Sequence, residues 1–128
     1  MSLIDTLKHD HKEIFRLLDE SRALGISTDE GRRKLAMVRG TVLAHLQRED
    51  TRLYPALYRH EQTRELGETY AAEMRSISSE VLQFFDSLEK GVSGLDFARQ
   101  MGRVVSHLQQ RMTREEVRLY PAYERYCD

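Results

Sequence analysis

The chain has 128 residues, 32% of them charged and 40% hydrophobic, with a formal net charge of −1. That balance fits one soluble globular domain, residues 1–128, large enough to bury a core. Interleaved charges near neutrality exclude a nucleic-acid footprint, and the lack of an apolar run of about eighteen residues, or of a signal-peptide core, argues against membrane insertion or export. The single cysteine, Cys127, cannot form a disulfide within the chain, which points to a reducing, cytoplasmic setting.

Seven Gly, two Pro and an excess of Leu, Glu, Arg and Ala over Val and Ile favour helix. From the N-terminus, Ile4, Leu7, Ile14 and Leu18 recur at the helical period, with Leu3, Phe15 and Leu17 alongside and His11 filling the gap in the stripe. Gly25 ends this helix, and Ser27 with Glu30 predicts a capping box for the next. The second helix carries Leu35, Val38, Val42, His45, Glu49, Leu53 and Ala56 on one face. Pro55 is placed to kink or end it, and Arg59 to Arg64 reads as a polar connection.

A third helix follows the stripe Leu66, Tyr70, Met74, Ile77, Val81, Phe84 and Leu88 and stops at Gly91. Ser93 with Asp96 predicts the cap of a fourth, which carries Phe97, Met101, Val104, Leu108, Arg111, Glu115, Leu119 and Ala122. Four long helices with short connections predict an all-α chain, an antiparallel up-down-up-down four-helix bundle.

A fifteen-residue stretch occurs twice, as HLQREDTRLYPALYR from His45 and as RMTREEVRLYPAYER from Arg111. The shared RE, the shared RLYPA and the closing Arg make eight identities, so the bundle has an internal two-fold repeat. Glu49 and Glu115 occupy the same place in the two copies, while His45 is matched by Arg111.

His11, His45 and Glu49 carry the chemistry. A His and a Glu four residues apart share a helical face, and His11 adds a third donor from a neighbouring stripe. Imidazole nitrogen with carboxylate oxygen suits iron, zinc or manganese, and two His with one carboxylate leave coordination positions open. A carboxylate in a core stripe also needs a compensating cation, either a metal or a side chain such as Arg111. No nucleophile triad, phosphate-cradling Gly loop or Cys-His zinc spacing is present, so nothing marks the chain as an enzyme. His9, about 200° around the helix from His11, and His60, near a helix end, read as surface groups. Asp50 and Glu116 also read as surface groups, and Tyr54 and Tyr120 as packed residues.

Asp10-His11 followed by HLQREDTRLYP resembles the hemerythrin-like, or HHE cation-binding, family over essentially the whole chain. The resemblance implies a non-heme iron site in a four-helix bundle, mononuclear or di-iron. It also implies binding or sensing of iron, dioxygen or nitric oxide. His11, His45 and Glu49 match the first half of the family's ligand pattern, and Glu115 matches the second carboxylate. The second half departs from the pattern: Arg111 stands where a His is implied, and Met74, in AEMRSI, stands where an EH pair is implied. Arg cannot coordinate, and Met is a poor ligand for iron(II). His107, one turn before Arg111, is the remaining imidazole that could serve as a displaced ligand, at a cost of about 5 Å along the helix. Arg111 is also placed to fill the volume of a second metal and pair with Glu115 or Glu49. The competing expectation is a metal-free bundle serving as a protein-interaction module, or a homodimer, through its arginine-rich surface.

Overall fold

The computed structural model describes residues 2–25, 27–91 and 94–127. Every regular element among them is helical, so the chain is all-α. In chain order they are α1 (Leu3–Leu24), α2 (Asp29–Arg48), a π-helical turn (Glu49–Leu53), α3 (Tyr54–Tyr58), α4 (Glu61–Glu89), α5 (Gly94–Arg114), a second π-helical turn (Glu115–Leu119) and α6 (Tyr120–Tyr126). No helix among the described residues is long and apolar enough to cross a membrane.

The chain divides into two compact units, Met1–Ala56 and Leu57–Asp128. In unit 1, α1 starts at a capping box: the Ser2 hydroxyl accepts from the Asp5 amide at 3.1 Å, and the Asp5 carboxylate accepts from the Ser2 amide at 3.4 Å. It stops at Gly25, whose φ of 80° is costly for any other residue. The cap of α2 is Thr28, one residue later than the predicted Ser27. Its hydroxyl accepts from the Gly31 amide at 3.0 Å and lies within donating distance of the Gly25 carbonyl at 2.9 Å. One threonine therefore ties the end of α1 to the start of α2. The turn is so tight that a Cβ on Gly31 would fall 1.8 Å from the Gly25 carbonyl oxygen. Lys34, early in α2, meets Glu20, late in α1, at 2.9 Å, while His45, late in α2, meets Asp10, early in α1, at 3.0 Å. Between these contacts Ile14 and Leu18 are buried with Leu35, Val38 and Val42.

Unit 2 opens with the last two residues of α3. The Thr63 hydroxyl donates to the Leu57 carbonyl at 2.7 Å and Arg64 Nε donates to the Tyr58 carbonyl at 3.1 Å, fixing the start of α4 on that turn. The connection is thus only Arg59 and His60. The polar stretch Glu61–Arg64 lies inside α4, because Glu, Gln and Arg are good helix formers whose polarity marks a solvent face rather than a loop. Phe84 stacks near Phe97 at 5.8 Å, Glu80 meets His107, and Glu73 meets Arg111, so successive positions back along α4 pair with successive positions forward along α5. Met74, Val81, Phe84, Met101, Val104 and Leu108 form the core of this unit. The predicted cap at Ser93 lies outside the described residues. Cys127 is half-buried, its sulfur 3.7 Å from the Thr63 hydroxyl.

The two π turns fall on the two copies of the repeat. In each, the amide of the tyrosine of LYP reaches back five residues to the glutamate carbonyl, Tyr54 to Glu49 and Tyr120 to Glu115. The following Pro55 and Pro121 explain the widening. A proline has no amide hydrogen to give, and its ring crowds the carbonyl four residues back; one extra residue in the turn relieves both. Proline therefore does not end either helix, and α3 and α6 continue beyond it. The extra residue also shifts the buried stripe by one: Leu57 is fully buried where an unbroken period predicts Ala56, which is only half-buried.

Candidate metal centre

Unit 1 gathers five candidate side chains on α1, α2 and the first residue of the π turn. His11, His45 and Glu49 are all buried, Glu49 to 0% exposure. The two imidazole rings lie edge to face, 4.8 Å between centroids. His45 Nδ1 is 3.0 Å from Asp10 Oδ2. A carboxylate only accepts, so Nδ1 carries the hydrogen, and in the neutral ring Nε2 presents its lone pair. That Nε2 stands 3.5 Å from Glu49 Oε1. Two donors each about 2.1 Å from one ion stand about 3–3.5 Å apart at octahedral to tetrahedral angles, so this spacing fits a shared cation.

Asp10 is the residue that periodicity missed. It lies beside the α1 stripe rather than on it, and its burial comes from Arg48, whose Nη1 donates to both of its oxygens at 2.6 Å. Burial opposes ionisation of Asp10, but the hydrogen bonds and charges of His45 and Arg48 outweigh that effect and hold its pKa below the ordinary value. Asp10 is therefore a carboxylate in place, and its work is to fix the tautomer and orientation of His45.

Unit 2 repeats this frame with other contents. Glu73 takes the place of Asp10 and Arg114 that of Arg48: Arg114 Nη1 lies 3.0 Å from Glu73 Oε2. Hydrogen bonding to Glu73 raises the pKa of Arg114 against the opposing effect of desolvation. Within the frame, Met74 replaces His11 and Arg111 replaces His45. Arg111 is 1% exposed. Its Nη1 donates to Glu73 at 3.2 Å, its Nη2 donates to the Tyr70 carbonyl at 2.8 Å, and its Nε lies 3.5 Å from Glu115 Oε2. The guanidinium also sits 4.5 Å from the centroid of the Tyr70 ring. Glu115 is buried and accepts from the Tyr120 hydroxyl at 3.3 Å. Arg111 has thus entered the core, and Tyr70 serves it with both a carbonyl and a ring.

His107 is exposed and bonds Glu80 at 2.7 Å, at the solvent edge of the face that carries Arg111 one turn on. A one-turn displacement of the ligand position is therefore not what its ring adopts. His9 and Asp50 are exposed or nearly so, Glu116 is half-buried, and His60 is half-buried as the residue preceding α4. Tyr54 is buried, like Tyr120.

Buried imidazole and carboxylate side chains converging from paired helices define the class, an all-α cation-binding domain. The family follows from the sequence as a whole. The family model of the hemerythrin HHE cation binding domain matches residues 2–123, and the chain belongs to that family. Among curated proteins and among solved structures, nothing matches the chain.

Proposed function

We propose that this protein is an iron-binding hemerythrin-like protein that holds one metal ion in unit 1 and binds or senses a small diatomic ligand there. Membership of a cation-binding family supports metal binding. The observation that carries the choice of unit 1 is the alignment of His45: Asp10 takes its Nδ1 hydrogen at 3.0 Å while Nε2 faces Glu49 at 3.5 Å. His11, His45 and Glu49 would hold the ion, a set of two imidazoles and one carboxylate that suits iron(II) and also admits zinc or manganese. Iron(II) held by three protein donors would supply open positions for dioxygen or nitric oxide. The chain's own residues do the rest: Asp10 and Arg48 orient His45, and the apolar side chains of Leu7, Ile14 and Val42 exclude water around it.

The remaining features of the proposal are an up-down-up-down bundle, a cytoplasmic location and a binding rather than catalytic role. Membership of a cation-binding family supports the binding role. Anaerobic loading with iron(II), removal of loose ions, and elemental analysis with an optical spectrum test it. One ion per chain, lost in His45→Ala, is the expected result. A folded chain that retains no metal would reject it and leave the protein-interaction module as the better account.

A further inference from the structure

The two halves of the repeat hold the same outer frame around different contents, and their formal charges differ. In unit 1 the set Asp10, His11, His45, Arg48 and Glu49 sums to −1 with neutral imidazoles. In unit 2 the set Glu73, Met74, Arg111, Arg114 and Glu115 sums to zero, two carboxylates against two guanidiniums. The difference is Arg111. Its position in the repeat is that of an imidazole ligand, and its charge is that of a cation.

We infer that Arg111 is the resident cation of the second half-site: its guanidinium, held by Glu73, Glu115 and Tyr70, takes the role of a metal ion there, so the protein binds one ion rather than two. Three of its nitrogens engage three different groups, a carboxylate on α4, a carboxylate on the second π turn and a backbone carbonyl. The Tyr70 ring covers the guanidinium face. Tyr120 holds the other oxygen of Glu115, and Arg114 shares Glu73, so both carboxylates are oriented as a coordinating pair would be while serving a side chain instead. Met74, buried and standing where the family pattern implies an imidazole, gives this half a soft sulfur in place of a nitrogen donor, so charge and ligand type both disfavour a hard metal.

This inference rests on the metal reading of unit 1, and the test separates the two. Iron(II) and zinc(II) per chain are counted after loading in four proteins: wild type, His11→Ala/His45→Ala, Met74→His/Arg111→His, and all four substitutions together. The expected counts are one, none, two and one. Two ions in the wild type, or one retained by His11→Ala/His45→Ala, would overturn the inference, since unit 2 would then bind metal with Arg111 in place. So would a Met74→His/Arg111→His count equal to that of the wild type. Should the wild type bind none, the proposed function fails, but a gain of one ion in Met74→His/Arg111→His still upholds the role of Arg111. The second readout is stability. Arg111→Gln and Glu115→Gln each lower the unfolding midpoint, and the double variant recovers part of the loss. Strictly additive losses would show that the guanidinium does not balance Glu115, and would sink the idea even if the His variants fail to fold.

Discussion

In unit 1 an acidic residue and an arginine, Asp10 and Arg48, steady an imidazole; in unit 2 the equivalent Glu73 and Arg114 steady a guanidinium. The lesson is that the outer frame of a site can outlast its ligands. Carboxylate–arginine pairs are self-sufficient in charge, so the frame needs no metal to offset it. The inner position tolerates either a lone-pair donor awaiting a cation or a cation of its own. What it does not tolerate is a neutral apolar residue beside a buried glutamate, because an uncompensated buried charge is expensive.

The largest expected effect tests that last point. Arg111→Ala leaves Glu115 buried without its guanidinium and should cost about 3–5 kcal/mol in urea unfolding, as breaking a buried pair does; a loss below about 1 kcal/mol would mean Glu115 finds water or another partner. Next comes the response to metal. Iron(II) at about 100 times its Kd should stabilise the wild type by about 2.7 kcal/mol and leave His45→Ala unmoved, by mass action on a folded-state site. Equal stabilisation of both proteins would place the ion elsewhere.

A finer cut separates frame from ligand. Asp10→Asn retains the shape but weakens the acceptor that holds His45, and should lower metal affinity about 10–100-fold. Unchanged affinity would show that His45 keeps its tautomer without Asp10. The smallest effects come from two glycines of α2. At Gly40 an added Cβ would meet no atom within 4 Å, so Gly40→Ala should stabilise by up to about 1 kcal/mol through helix propensity. Gly31→Ala should instead destabilise, because its Cβ would strike the Gly25 carbonyl. The same sign for both would contradict the tight turn between α1 and α2.

Much of this was legible in the residues. His11, His45 and Glu49 stand in line with Leu and Val at the helical period, so their burial could be anticipated, and the repeat set Arg111 against His45 directly. Asp10 could not be found that way, since it lies off the stripe and is buried by a contact across 38 positions of sequence. The signal that could have found it is the arginine shared by QRED and TREE, Arg48 and Arg114, which both copies retain to hold an acid on the preceding helix. Thr28 displaced Ser27 as a cap because its hydroxyl serves two groups of the turn at once. The π turns escaped a reading based on a fixed period, since each breaks that period by one residue.

Those turns also govern how the chain can change length. Each residue of an α-helix advances the next by about 100°, so the surplus residue between Glu49 and Leu53 is a stored rotation. Deleting Thr51 would not simply shorten the helix. It would restore an unbroken α-helical period in which the former Leu57 takes the buried place that period gives to position 56, while His45 and Glu49, upstream, kept their aim and Pro55 met the crowding that the wider turn relieves. The segments before LYP are thus the places where each helix takes up a residue of length without re-aiming the side chains upstream.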